Sequence, residues 1–226
     1  MTWEILQGDC LEVINKIEPE SIDACITDPP YGIDYQSARR IDKSQWKPKI
    51  KNDKLPFIWF LYGAFKAVKE GGSLICFCRW DVQDAFKSAI EWSGFSVESQ
   101  VIWDRGVHGM GDLKGSFAPR HDVIWFAVKG KFQFSGDRPM SVIKSKRVDP
   151  DKMLHPNEKP VGLMSYLVDA VTPRGGLVLD PFAGSGTTLL ASEQMGRDSI
   201  GIEISEEYCE TIKRRMANMQ MTISNL

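Results

Sequence analysis

The chain predicts an α/β fold built on a mostly parallel sheet with helices on both faces. Three observations carry the prediction. Short apolar runs alternate with amphipathic helical stretches along 226 residues, the pattern of strands joined by helical crossovers. One run, Leu177–Val178–Leu179–Asp180, leads into Pro181–Phe182–Ala183–Gly184–Ser185–Gly186–Thr187–Thr188 and then a helical pattern. A strand, a glycine-rich turn and a helix start bring backbone N–H groups to a ligand at a sheet edge. Another run, over 22–27, is cut off by Asp28–Pro29–Pro30–Tyr31, because consecutive prolines lack an N–H and fix φ.

The elements follow in order. Trp3–Glu4–Ile5–Leu6 reads as a short strand, residues 11–17 as a short helix and 22–27 as a buried strand. Over 56–68, Phe57, Phe60, Leu61, Ala64, Phe65 and Val68 share one helical stripe, and Glu70–Gly71–Gly72 is expected to end that helix. A buried strand follows over 73–78, then an amphipathic helix over 82–92 that stops near Gly94. Residues 97–103 and 122–128 read as strands, with the long stretch between them suited to an antiparallel pair. A helix over 160–171 opens on proline, and 186–195 and 206–219 are the last two helices, separated by the strand 199–203.

Length suits one domain over residues 1–226. Hydrophobic content of 42% is enough for a buried core. No apolar run approaches the ~18 residues of a membrane span, and the N-terminus lacks the basic and apolar regions of a secretory signal. A membrane partner is therefore not expected, and the expected location is the cytoplasm. The five cysteines, Cys10, Cys25, Cys76, Cys78 and Cys209, fall mostly in strand-like apolar runs, which suits reduced core thiols. Their spacing forms no metal-ligand set, so no metal is expected.

A net charge of −2 hides two basic segments. Residues 36–54 hold seven bases against two acids, and 129–152 seven against three. Both are polar and poorly periodic, so they read as loops. A solvated surface is the plain reading of such a run. Such runs could instead suit phosphate contacts, with Arg39, Arg40, Lys43, Trp46 and Lys47 in the first segment and Lys144, Lys146 and Arg147 in the second. Trp46 could stack on a ligand's flat ring or anchor its loop equally well.

The two turns carry the chemistry. At 28–31 an acid, a rigid backbone with free carbonyls and an aromatic ring converge, a set that can grip a flat ring bearing an amino group. A surface turn is the alternative. The glycine turn lacks the Gly-Lys-Ser/Thr of a Walker loop, and Leu189 breaks the full dinucleotide pattern. Glu203 ends the next strand 17 residues past Gly186, close to the offset of about 20 at which an acid meets ribose hydroxyls.

Together these residues resemble the amino-group DNA methyltransferases. That family carries an Asp/Asn/Ser-Pro-Pro-Tyr/Phe catalytic motif and a Phe-x-Gly-x-Gly cofactor motif. Two further family elements match at His155–Pro156–Asn157–Glu158–Lys159–Pro160 and Gly8–Asp9–Cys10. The order, catalytic motif first and cofactor motif last, is similar to the family's beta class, and the likeness runs from Gly8 to about Tyr208. It implies a circularly permuted, Rossmann-like, seven-stranded class I methyltransferase sheet. The implied cofactor is S-adenosyl-L-methionine and the implied partner is double-stranded DNA, with a homodimer and a cognate restriction enzyme left open and a bacterial or phage source. The segments 36–54 and 130–151 become the candidate DNA-recognition elements.

The resemblance assigns Asp28, Pro29, Pro30 and Tyr31 to catalysis. Asp28 and the Pro29 carbonyl would accept the N–H bonds of a flipped-out base on which Tyr31 stacks. Asp9, Cys10, Lys159, Asp180, Phe182, Ala183, Gly184, Ser185, Gly186 and Glu203 would bind the cofactor: Glu203 the ribose, Asp9 the adenine amine, Phe182 the methionine part near the sulfonium. Lys159 would take the methionine carboxylate or make a bond across the site. Asp9 could equally cap a helix, and His155 reads as a structural hydrogen-bonder. The expected reaction is methylation of adenine N6, because the Asp form of the catalytic motif leans that way in the family. Cytosine N4 methylation stands beside it. A protein glutamine methyltransferase is less consistent, since that class uses Asn-Pro-Pro-Tyr with its cofactor motif upstream, and a non-enzymatic DNA-binding module would not need both motifs intact.

Overall fold

A computed structural model of the protein describes residues 2–32, 55–108, 114–149, 151, 153–155 and 157–224. The sheet has eight strands: β1 Trp3–Gln7, β2 Ile22–Thr27, β3 Val68–Cys78, β4 Ser96–Asp104, β5 His121–Val128, β6 Val142–Lys144, β7 Leu177–Asp180 and β8 Asp198–Glu203. The helices are α1 Cys10–Val13, α2 Leu61–Ala67, α3 Gln83–Ser93, α4 Val161–Val171, α5 Thr187–Gln194 and α6 Glu206–Ser224, disposed on both faces. Strand order is β1-β8-β7-β2-β3-β5-β4-β6. All neighbours pair parallel except at β5, which runs antiparallel to β3 and to β4. The expected antiparallel pair is therefore present, as is the permuted order in which the glycine turn follows a central strand, β7.

The strand count corrects the expectation of seven. The extra strand, β6, lies inside the segment 130–151 expected to be a loop, and it adds to the sheet edge through Ile102–Val142, Trp103–Ile143 and Asp104–Lys144. Three residues are too few for alternation to be legible, and only Ile143 packs against the core.

The region 56–72 also differs. Helix α2 occupies only Leu61–Ala67, and Glu70–Gly71–Gly72 belong to β3 instead of ending a helix. The glycines serve close strand approach: a Cβ on Gly72 would meet the Asp23 carbonyl oxygen at 2.8 Å. The pairing of β2 with β3 shifts register at the same place.

The core lies where β2, β3, β5 and β7 meet α2, α3 and α4. Phe60, Phe77 and Phe86 are fully buried, each contributing about 1.5–3 kcal/mol relative to exposure. Because β2, β7 and β8 are parallel neighbours, Asp28, Asp180 and Glu203 come to the same edge at their carboxyl ends. That edge is where open α/β sheets bind ligands.

Candidate active site

Each of those three acids is held differently. Glu203 closes the glycine turn: its Oε2 accepts from the Gly184 N–H at 2.9 Å and its Oε1 from the Ser205 N–H at 2.8 Å. Its main-chain carbonyl accepts from the Gly8 N–H at 3.0 Å. Through its carboxylate and its main-chain carbonyl the residue thereby ties together β8, the turn after β7 and the end of β1.

Asp180 is buried. It accepts from the Phe182 N–H at 3.0 Å and the Thr188 hydroxyl at 2.5 Å. Neither partner is charged, and burial pushes its carboxyl up to about 6, against the pull of those two bonds.

Asp28 is bonded on both oxygens. The Tyr31 hydroxyl donates to Oδ1, and the Lys159 ammonium donates to Oδ2 in a salt bridge. Pro30 anchors the motif by accepting from the Phe57 N–H at 3.0 Å, and Tyr31 bridges to Pro56.

Between these acids opens a cavity of about 250 Å³, lined among others by Asp9, Asp28, Pro29, Pro30, Asp180 and Glu203. Cys10, Lys159, Phe182, Ala183, Gly184 and Ser185 also face it. The structure thus brings together most of the residues expected to act. Phe182 serves both readings: it lines the cavity and meets Phe57 and Phe60 edge-on at 5.6 and 5.0 Å. Asp9 caps α1, accepting from the Leu11 N–H at 2.9 Å, while facing the cavity. Cys10 is buried, and burial followed by the Asp9 charge pushes its thiol up to about 12, so it stays protonated. His155 packs against Tyr208 at 4.7 Å and accepts from the Asn157 N–H at 3.3 Å.

Two expected residues sit otherwise. Gly186, with φ 78, lies against α6, where a Cβ would meet Ile212 at 2.8 Å. Its role is to let the turn pack against that helix. Tyr31 is buried beside Phe86, edge-on at 6.4 Å, with its hydroxyl turned to Asp28. Lys144 and Lys146 are exposed and Arg147 half-buried at the β6 edge. That strand lies four places from β2, about 19 Å along the same rim at ~4.8 Å per strand. The Trp103 indole donates to the Ser145 carbonyl at 2.7 Å, and the Ser145 N–H donates to the Asp104 carbonyl at 3.1 Å. Arg39, Arg40, Lys43, Trp46 and Lys47 lie outside the described residues.

Several supporting residues escaped the sequence. Glu158 is buried, pairs with Arg215 of α6 at 2.8 Å, and accepts from the Leu154 N–H at 2.7 Å. Arg215 also donates to the Ser185 carbonyl at 3.0 Å. One ion pair, with these bonds, therefore straps Leu154, Glu158 and the glycine turn to α6. Glu158 lies inside a motif already noticed, but nothing in sequence separates Arg215 from Lys213 and Arg214 beside it. Among the described residues, no cluster of His, Cys, Asp or Glu could hold a metal ion, and no helix is long and apolar enough to cross a membrane.

Comparison with known proteins agrees with this geometry. The type II methyltransferase M.HpaI of Haemophilus parainfluenzae is 27% identical over 240 residues, covering 96% of this chain and 74% of M.HpaI. The DNA adenine methyltransferase YhdJ of Escherichia coli (strain K12) is 26% identical over 246 residues, covering 94% and 82%. Among solved structures, the M1.HpyAVI–SAM complex superposes with a TM-score of 0.72 at 26% identity, covering 95% of this chain and all of that one. The cytosine-N4-specific PvuII DNA methyltransferase shares the fold, with a TM-score of 0.74 at 17% identity over 94% of this chain and 86% of that one. The DNA methylase family model spans residues 22–214, which takes in both turns and all three acids, and the chain belongs to this N6/N4 DNA methylase family.

Proposed function

We propose that the protein transfers a methyl group from S-adenosylmethionine to the exocyclic N6 amine of adenine in double-stranded DNA. The observation that carries the reading is the opening of Asp28 and the glycine turn onto one cavity. The donor set suits this cofactor. Glu203 offers carboxylate lone pairs to ribose hydroxyls, Asp9 an acceptor to the adenine amine, and the acids and the Phe182 ring surroundings favourable to a cation. When bound, S-adenosylmethionine supplies a methyl group activated on a sulfonium sulfur.

The protein's part is orientation. An exocyclic amine is a poor nucleophile because its lone pair is delocalised into the ring. Asp28 and the Pro29 carbonyl would accept its two N–H bonds and draw the nitrogen toward tetrahedral geometry. Holding the nitrogen in line with the methyl can lower the barrier by up to about 7–11 kcal/mol. As the methyl passes from sulfur to nitrogen, the amine would shed one proton, to Asp28 or to water. A base inside a duplex cannot reach Asp28, so the target must be flipped out.

Asp at position 28 and the similarity to YhdJ support adenine over cytosine. Cytosine N4 methylation stays as the second reading, since both amines present the same pair of N–H groups. The test maps modified bases in DNA from cells expressing the protein beside an Asp28→Ala control. N6-methyladenine at one short motif, absent from the control, is expected. N4-methylcytosine alone would replace the first reading with the second. Unmodified DNA despite measurable cofactor binding would require another substrate.

A further inference from the structure

Asp28 is the group that must accept a hydrogen bond from the target amine, yet both of its oxygens already have partners. The two partners are unlike. Lys159 is a cation, 11% exposed, with its ammonium 5.0 Å from the centroid of the Phe77 ring on β3. A charge-assisted bond of this kind is about twice as strong as a neutral one. Removing it would leave Asp28, itself only 17% exposed, as a sheltered charge without its counter-ion. Tyr31 is a neutral donor. Burial first, and the Asp28 charge second, push its phenol well above the usual range. A phenol hydroxyl can give up its acceptor by rotating about one bond, whereas the ammonium is held between a carboxylate and a ring.

We infer that Lys159 and Tyr31 are positioning residues for Asp28 with unequal tenure: Lys159 keeps one carboxylate oxygen throughout, while the Tyr31 hydroxyl occupies the other only until the target amine takes it. The inference rests on the methyltransferase reading of the site. In the resting site both oxygens are already engaged, so the target amine competes with the Tyr31 hydroxyl for Oδ1 instead of meeting a bare carboxylate.

The test uses the full-length protein and a duplex oligonucleotide carrying the mapped target site. Cofactor binding is measured first by calorimetry, then single-turnover rate and KM for the duplex. Tyr31→Phe removes the competing hydroxyl and keeps the ring, so KM for the duplex should fall by about threefold to tenfold, the scale of one such bond. Tyr31→Ala, which also removes the ring, should raise it. Lys159→Met should lower the single-turnover rate at least about 100-fold while cofactor affinity changes less than about threefold, and Lys159→Arg should restore part of the rate.

A KM for Tyr31→Phe equal to or above wild type would overturn the Tyr31 half. A tenfold loss of cofactor affinity in Lys159→Met would overturn the other, making Lys159 a cofactor ligand. Failure of the underlying reading looks different: the wild-type protein itself would bind no cofactor or transfer no methyl group, and the inference would fall with it.

Discussion

Asp180 offers a quantitative test because its environment is lopsided. It is buried at the end of β7, where the Phe182 N–H and the Thr188 hydroxyl donate to it, and its carboxyl is raised from 3.8 to about 6. For an acid raised on folding, the native state holds the proton more tightly than the unfolded chain. Its contribution to stability is therefore complete below the unfolded value and is lost as pH rises through the folded one. A shift of roughly two units corresponds to about 3 kcal/mol. Asp180→Asn removes the titration while keeping an acceptor for Phe182. Urea unfolding of the ligand-free wild type and variant should be run at intervals from pH 4 to pH 8. Subtraction cancels every other titrating group. The variant should gain on the wild type by about 2.4 kcal/mol across that range, most of it between pH 4 and pH 6.5. A difference that stays flat with pH would show that Asp180 ionises as freely in the fold as in the open chain. A difference of opposite sign would mean that the neighbouring donors outweigh burial.

Other outcomes follow from the same geometry. Arg215→Ala leaves Glu158 buried without its ion-pair partner, and should cost about 3 kcal/mol in a denaturant melt and weaken cofactor binding in calorimetry. Gly186→Ala meets Ile212 at 2.8 Å and Gly106→Ala meets nothing within 4 Å, although both have positive φ; the first should be less stable than the second by about 1–3 kcal/mol in thermal melts. Lys144→Glu with Lys146→Glu should weaken duplex binding uniformly across sequences and reduce the salt dependence by about two counter-ions, read by fluorescence anisotropy; an unchanged salt slope would remove β6 from the DNA surface.

The parts that sequence disclosed were those whose cause is local. The strand 177–180 was legible to the residue, because an apolar run and a glycine turn bound it on either side. Asp9, Asp28, Asp180 and Glu203 were legible because each stands where a strand stops or a helix starts. Strand β6 was not, since three residues at a sheet edge take their conformation from Ile102–Asp104 across the ladder. Nor was the fate of Gly71 and Gly72, which follow a helical stripe and so read as its end. Their place in β3 is set from outside that stripe: a Cβ on Gly72 would meet the carbonyl of Asp23 on the neighbouring strand, and one on Gly71 the carbonyl of Lys131. Arg215 was hidden for the same reason: its partner stands 57 positions away, at Glu158.

The three acids show how a site built for a cation survives without one. Glu203, Asp180 and Asp28 end or follow three adjacent strands, and three bare carboxylates so close would repel one another. Each is relieved by a different means: backbone N–H groups at Glu203, a raised carboxyl at Asp180, and an ammonium at Asp28. Asp180, raised to about 6, can change its charge in response to a ligand. A cationic cofactor entering beside it would favour the ionised form, so binding near pH 6 should release part of a proton. Calorimetry in buffers of different ionisation enthalpy reads that release directly. The Asp180→Asn variant should show none, and equal release by variant and wild type would move the coupled proton to another group.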